Sequence, residues 1–123
     1  MKLSAEQIQA LATELRDYLI DHDLWEDCTI FFNGKAFCFS DQGPNDSRKW
    51  YLQESADPGA YTNHVSPIPT VFLGGALCQL LNHWVNDLEL VDRLEKDLNR
   101  MFSKHGVHYE LADHWNMELY EDS

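Results

Sequence analysis

The dipeptide Asn33-Gly34 constrains the fold of this chain more than any other feature. It lies between two runs rich in apolar residues, 28–32 and 35–40. A two-residue type I′ turn requires positive φ at both central positions, and asparagine and glycine adopt positive φ most readily. The sequence therefore predicts a β-hairpin in which Ile30 lies opposite Phe37.

The two faces of this hairpin also bear on the cysteines. Four side chains are expected on each face: Cys28, Ile30, Phe37 and Phe39 on one, and Thr29, Phe31, Ala36 and Cys38 on the other. A disulfide between Cys28 and Cys38 would need the wrong register. The chain has three cysteines and no CxxC spacing, which is typical neither of a disulfide framework nor of a zinc ribbon. We therefore interpret the cysteines as thiols, with Cys78 buried.

Capping boxes mark the starts of two helices. Ser4 with Gln7 begins one helix at about residue 5, and Asn86 with Glu89 begins another. The second of these is expected to end just before Gly106. Apolar residues recur at helical spacing in both segments, so each helix is predicted to pack by one apolar stripe.

A shorter helix is expected between these two. Gly74-Gly75 precedes four apolar residues at helical spacing: Leu77, Leu80, Leu81 and Trp84. The pattern predicts a core helix that ends near Val85. The glycine pair allows the chain to turn into that helix.

The C-terminal segment predicts a second hairpin. Its apolar residues alternate in two runs, 107–111 and 115–119. A two-residue turn would put these runs on opposite faces of the sheet, whereas a three-residue turn at 112–114 would keep them on one face. We therefore expect the longer turn, with His108 opposite Glu118 on the solvent face.

Together these elements predict an α+β fold with the order αββββααββ. Residues 50–53 and 71–73 supply the third and fourth strands, and short turns favour an antiparallel sheet with the helices packed on one face. The whole chain, 1–123, is expected to form a single globular domain. Residues 56–70 hold three prolines and are predicted as a long loop or a broken edge strand, and 120–123 as a frayed end.

The charge of the chain disfavours contact with nucleic acids. Nine lysines and arginines against 21 aspartates and glutamates give a formal net charge of −12, which opposes binding to phosphates. No apolar run approaches the roughly 18 residues of a membrane span, and the start MKLSAEQIQA lacks the apolar stretch of a signal peptide. We therefore expect a cytoplasmic protein that binds neither membranes nor nucleic acids directly.

Histidines and carboxylates near the C-terminus form the first candidate site. His105, His108 and His114 are candidate metal ligands, and His108 is a candidate base that Glu118 would orient. No HExxH motif is present, however, and the predicted hairpin directs His108 and Glu118 to solvent. We therefore favour a solvated polar face over a metal or acid–base site, and expect no cofactor.

A surface for a protein partner is the second candidate site. Phe31, with Trp50 or Tyr51 of the third strand, would form an aromatic patch on the second face of the hairpin. Five carboxylates lie near the end of the first helix: Asp17, Asp21, Asp23, Glu26 and Asp27. An aromatic anchor beside carboxylates suits a basic protein, whereas a solvated helix end is the alternative.

No motif in the sequence identifies a family or a catalytic site. We therefore predict a small acidic accessory or regulatory protein, non-enzymatic, that binds a basic protein, with a homodimer through the second sheet face also open. A small metal-binding protein or enzyme that uses the C-terminal histidines is the first alternative. A DNA mimic that presents carboxylates in place of phosphates is the second.

Overall fold

In the part of the chain that the structure describes, three helices and six strands follow one another in the predicted order αββββααββ. The structure is a computed structural model that describes residues 3–40, 50–57, 59 and 68–122, without the side chains of residues 68, 69 and 113. The elements are α1 (Ala5–Asp21), β1 (Thr29–Phe32), β2 (Lys35–Phe39), β3 (Trp50–Gln53), β4 (Ile68–Phe72), α2 (Gly75–Leu81), α3 (Leu88–Lys104), β5 (Val107–Asp113) and β6 (Asn116–Glu121).

The six strands form one antiparallel sheet in the order β3-β2-β1-β4-β6-β5. The first hairpin has the predicted register, with Ile30 opposite Phe37. Its turn residues Asn33 and Gly34 have φ values of 50° and 75°, as a type I′ turn requires. Cys28 and Cys38 lie on opposite faces, and both are free thiols.

The prediction that residues 56–70 form a long loop or a broken edge strand is wrong for residues 68–70. β4 begins at Ile68 and lies between β1 and β6 in the interior of the sheet, not at an edge. The register shifts between Ile68 and Thr70, on either side of Pro69. Proline has no N–H for the ladder, so within a sheet it is confined to edges and to such irregular positions. Residues 58 and 60–67 lie outside the described part of the chain.

The C-terminal segment forms the predicted hairpin, but its turn is shorter than the predicted three-residue turn. Asp113 pairs with Asn116 across a two-residue turn, and the register then shifts by one residue, so that Leu111 pairs with Met117. This bulge, rather than a longer turn, brings Tyr109 and Leu111 to the same face as Met117 and Leu119, whereas Trp115 in the turn packs against Phe72 of the opposite face. As a result Glu118 lies opposite Glu110, and the predicted pairing with His108 is wrong.

The end of β6 is also more ordered than predicted. The strand continues through Glu121, so residues 120 and 121 are not frayed. The backbone N–H of Leu3 donates to the Glu121 carboxylate, and the N–H of Asp122 donates to the carbonyl of Gly106. Residue 123 lies outside the described part.

The predicted helix starts are confirmed for α1 and shifted for α3. Ser4 and Gln7 form the reciprocal capping box at the start of α1. The N-cap of α3 is Asp87, whose carboxylate accepts from the N–H of Leu90, and not Asn86. α2 ends at Leu81, earlier than predicted, because the chain turns at residues 82–83, where His83 has a positive φ of 57°.

All three helices pack on the same face of the sheet, here called the helix face. It carries Ile30, Val71 and Met117, which register across β1, β4 and β6. The core between helices and sheet buries an apolar stripe from each helix: Leu11, Leu15 and Leu19 from α1, Leu77, Leu80 and Leu81 from α2, and Val91, Leu94, Leu98, Met101 and Phe102 from α3. Within the described residues, no helix is long and apolar enough to cross a membrane.

The opposite face, here called the second face, carries Phe31, Thr70, Glu118 and Glu110 in one row across β1, β4, β6 and β5. A small apolar cluster of Phe31, Ala36 and Cys38 lies at its β1–β2 side, with Phe72 packed against it. Thr70, Asn116 and Glu118 are buried at its centre. The second face is thus part apolar and part polar, unlike the helix face.

Candidate protein-binding surface

Several chain turns meet at one end of the sheet, here called the turn end. Thr29 pairs with Phe72, and Phe72 pairs with Asn116, so the start of β1, the end of β4 and the start of β6 lie side by side. The segment that leads from α1 into β1, the Gly74-Gly75 link and the His114–Trp115 turn therefore all lie at this end.

Close contacts hold these segments together. A Cβ atom at Gly74 would lie 2.3 Å from the carbonyl oxygen of Asp27, so only glycine allows the two backbones to approach in this way. The N–H of Leu73, next to Gly74, donates to the carbonyl of Trp115 at 2.8 Å. The acidic segment after α1 is thereby fixed beside the turn of the C-terminal hairpin. Gly74 thus has a packing role.

The start of α3 reaches the same end. α3 has 17 residues and is about 25 Å long, and β5 has seven residues and is about 23 Å long. The two run in opposite directions and are joined by a tight link at Gly106, which has a φ of 75°. Leu88 at the start of α3 therefore lies near the end of β5 and the turn that follows it.

Apolar side chains are concentrated at the turn end. Trp84 is 59% exposed and Leu88 75% exposed, and Trp115 in the hairpin turn is 42% exposed. The Trp84 ring packs against the imidazole of His114 with 5.2 Å between centroids, and Trp115 packs edge-on against Phe72 at 5.2 Å. Two tryptophans are thus held by neighbouring rings while much of each remains open to solvent. Such residues are the usual anchors of protein interfaces.

A hydrogen-bonded group supports this aromatic surface. The amide Nδ2 of Asn82 donates to the carbonyl of His114 at 2.6 Å, and the Cys78 thiol donates to the same carbonyl at 3.2 Å. The Asn82 Oδ1 lies 3.3 Å from Nδ1 of His114. These contacts join the end of α2 to the hairpin turn, so Trp84 and Trp115 are carried on connected elements.

Exposed carboxylates also lie at the turn end. Asp21, Asp23, Glu26 and Asp27 are exposed in the segment after α1, and Asp87 and Glu89 are exposed at the start of α3. Asp23 and Asp27 have positive φ values of 56° and 63°, which mark the two sharp bends that place the segment here. The turn end therefore combines apolar anchors with exposed carboxylates.

The predicted aromatic patch does not form as expected. Phe31 is buried on the second face, and Tyr51 is exposed on the same face. Trp50 lies on the helix face, where it packs edge-on against Phe37 at 5.1 Å and beneath the guanidinium of Arg16 at 4.0 Å. Trp50 therefore does not join Phe31, because adjacent residues of a strand point to opposite faces.

The predicted carboxylates are divided between two settings. Asp17 accepts from the side chain of Arg16 at 2.9 Å and 3.1 Å, so it has its own cation within α1. Asp21, Asp23, Glu26 and Asp27 lie at the turn end. Four of the five predicted carboxylates thus lie at the turn end, where the exposed rings are Trp84 and Trp115 and not the predicted Phe31 and Trp50.

The three candidate metal ligands each have a different partner. His105 lies 2.8 Å from Glu14, a contact that joins α3 to α1. His108 Nδ1 lies 2.8 Å from Asp122 Oδ1, and His114 contacts Asn82. Among the described residues, no group of three or more His, Cys, Asp and Glu side chains is placed to hold a metal ion. The carboxylate that would orient His108 is Asp122 rather than Glu118.

Glu118 is buried, with 5% of its surface exposed, so the prediction that it faces solvent is wrong. β6 is an interior strand, and Thr70 and Glu110 flank Glu118 on either side. The hydroxyl of Tyr120 donates to its Oε2. This hydrogen bond to a carboxylate raises the pKa of Tyr120 to about 12.

The thiols differ in burial. Burial raises the pKa of Cys28 to about 12, and burial also raises the pKa of Cys38. Cys78 is half-buried, contrary to the prediction of a buried thiol, because it lies at the margin of α2 beside the hairpin turn. Its Sγ donates to the backbone carbonyl of His114.

Comparisons with protein-family models, with curated proteins and with solved structures gave no match.

Proposed function

We propose that this protein acts by binding a basic protein partner through the turn end. The exposure of Trp84 and Trp115 beside the exposed Leu88 carries the proposal. Exposed apolar residues that occur singly need no explanation, but two tryptophans and a leucine at one end of a small domain are typical of an interaction surface.

Charge argues for a basic partner. The carboxylates at the turn end, Asp21, Asp23, Glu26, Asp27, Asp87 and Glu89, would favour a positive surface and repel a negative one. A second copy of the chain would bring the same carboxylates and a formal net charge of −12. A basic partner is therefore favoured over a homodimer at this surface.

The test compares the wild type with Trp84→Ala and with Tyr51→Ala as a matched control. Tyr51 is 54% exposed, close to the exposure of Trp84, but it lies on the edge strand β3, which β2, β1 and β4 separate from β6 and its turn. Each immobilised protein would be used to capture partners, and the dissociation constant of each purified partner would then be measured at two salt concentrations.

We expect a basic protein whose affinity falls about 30-fold or more with Trp84→Ala, as for an interface anchor, and changes little with Tyr51→Ala. Added salt should weaken its binding, because charge complementarity is screened. Equal affinity of the wild type and Trp84→Ala for every captured protein would refute the proposal.

A further inference from the structure

The strand β5 forms an edge of the sheet. Among the described residues it pairs with β6 on one side and with no strand on the other. The N–H of Asp122 donates to the carbonyl of Gly106 at 2.9 Å, so these residues form a hydrogen-bonded pair where β5 begins. Hydrogen-bonded pairs alternate along an antiparallel ladder with pairs that are not hydrogen-bonded. By this alternation, three residues of β5 direct their backbone N–H groups away from β6: Val107, Tyr109 and Leu111.

The regular part of this edge has Tyr109 at its centre. β5 extends to Asp113, but its register with β6 shifts between Leu111 and Asp113. Such a bulge bends a strand and interrupts its regular pairing. The regular edge is therefore residues 107–111, and an edge with outward backbone groups is a template for a further strand.

The position of α3 leaves this edge open. α1 packs on β1 and β4, and α3 packs on β5. The hydroxyl of Tyr18 in α1 donates to Asp97 in α3 at 2.8 Å, so the two helices are neighbours. Neighbouring helices lie about 8–10 Å apart and neighbouring strands about 4.8 Å apart. α3 is therefore about two strands from α1, above β6 and β5, and does not extend beyond the edge.

Two exposed side chains of this edge differ in charge. His108 and Glu110 lie on the second face, and their side chains are 49% and 67% exposed. A protonated imidazole and a carboxylate attract each other. The order of the two residues is reversed in a second, antiparallel copy of the strand, so the edge can be complementary to itself.

Charge selects one register for such a pair of strands. A twofold axis through one residue keeps the two faces of the joined sheets distinct, whereas an axis between two residues mixes them. An axis at Glu110 puts Glu110 opposite itself, an axis at His108 puts His108 opposite itself, and like charges at such positions destabilise a sheet. An axis at Tyr109 puts each His108 opposite Glu110 of the second copy. It also gives the longest overlap of the regular edges.

We propose that β5 is a dimerisation edge, at which two copies of this chain pair antiparallel through residues 107–111 about a twofold axis at Tyr109. The outward N–H groups of Tyr109 and Leu111 donate to the carbonyls of Tyr109 and Val107 of the second copy. His108 and Glu110 of the two copies form a pair that is not hydrogen-bonded, in which side chains lie closest. The two sheets thereby join into one.

The negative charge of the chain lies mostly away from this contact. The formal net charge is −12, but α3, the helix beside the edge, balances four carboxylates with four basic residues, Arg93, Lys96, Arg100 and Lys104. The acidic segment after α1 lies at the turn end. Because the two strands run in opposite directions, the two turn ends lie at opposite ends of the dimer. Each stays open for the partner proposed above, and failure of either proposal leaves the other standing.

The test is sedimentation equilibrium of the wild type and of two charge variants. We expect the wild type to form dimers as its concentration rises. Glu110→Lys places a basic residue opposite His108, and His108→Glu places a carboxylate opposite Glu110. Each variant should weaken the dimer about tenfold, because it changes both cross-strand pairs from unlike to like charges.

The control is Glu54→Lys, which makes the same charge change just after β3, at the opposite edge of the sheet. Both lysine variants lower the net negative charge, so general repulsion between the copies would make both dimers tighter. We expect Glu54→Lys to leave the dimer unchanged or tighter and Glu110→Lys to weaken it. Equal effects of the two variants would contradict the pairing.

A mixture of Glu110→Lys with His108→Glu tests the register. In a mixed dimer the introduced lysine lies opposite the introduced glutamate, and the native His108 of one chain lies opposite the native Glu110 of the other. The mixture should therefore dimerise within about threefold of the wild-type affinity, although neither variant does so alone. A folding defect in either variant would not give this recovery.

Three results would overturn the proposal. A wild type that stays monomeric up to about 1 mM would leave the edge to a strand of a different protein. A dimer whose affinity is the same in both variants would form through another surface. Failure of the mixed variants to associate would exclude the axis at Tyr109.

Discussion

The two faces of the sheet differ in what they bury. On the helix face the three helices cover a continuous apolar core, and its buried cation, Arg16, is stacked on Phe37 and Trp50 and paired with Asp17. The second face buries Glu118, whose Oε1 has no donor among the described residues, with Glu110 directly opposite. The helix face is therefore organised for stability, whereas the second face retains groups that lower stability.

The largest change in the free energy of unfolding is expected for a substitution in the core that covers the helix face. Phe102 is fully buried in α3, and Phe102→Ala should lower the free energy of unfolding by about 3–5 kcal/mol through the cavity that it leaves. Tyr51→Ala on the second face should cost below about 1 kcal/mol, because that ring is already exposed. Urea denaturation of both variants measures the difference. Similar losses would show that the two faces contribute equally to stability.

A smaller loss of stability is expected for a substitution of Glu14, a glutamate of α1 whose carboxylate has two partners on α3 and its C-cap. Glu14 accepts from Lys104 at 2.7 Å and lies 2.8 Å from His105. Burial raises the pKa of Glu14, but the hydrogen bonds and charges of Lys104 and His105 lower it more, so the net pKa lies below the ordinary value of 4.5. Glu14→Gln should therefore cost about 0.5–1 kcal/mol at neutral pH.

The sign of the pH dependence follows from that lowered pKa. A carboxyl whose pKa is lower in the folded state stabilises the protein above its ordinary pKa and loses this contribution as the pH falls through the lower value. The difference between the wild type and Glu14→Gln should thus vanish well below pH 4.5. A difference that persists or grows in acid would mean that Glu14 acts by packing and not by charge.

The sequence predicted those elements whose signals are local. Asn33-Gly34 alone determined the register of the first hairpin, and Ser4 with Gln7 determined the start of α1, because each signal lies within a few residues. The register of the C-terminal hairpin was missed because a bulge and a longer turn satisfy the same apolar alternation. The position of β4 inside the sheet depends on contacts with β1 and β6, which are distant in sequence.

The candidate binding surface was harder to predict than the local elements, because it too depends on contacts between segments that are distant in sequence. The acidic segment after α1 is visible in the sequence, but its neighbours at the turn end are set by the contact of Gly74 with Asp27. Trp84 was assigned to the core because it continues the helical spacing of α2. Because α2 ends at Leu81, Trp84 lies outside the helix and is exposed. Asp87 is as good an N-cap residue as Asn86, so the sequence also allowed α3 to start one residue later.

The most direct test of the contrast between the two faces is the free energy of unfolding of Glu118→Gln, measured beside Glu14→Gln at neutral pH. Glutamine can still accept from Tyr120, while it removes the unsatisfied charge and the repulsion from Glu110. Glu118→Gln should therefore be as stable as the wild type or more stable, whereas Glu14→Gln should be less stable. A loss above about 1 kcal/mol in Glu118→Gln would contradict the account, because the Glu118 carboxylate would then be a satisfied structural group.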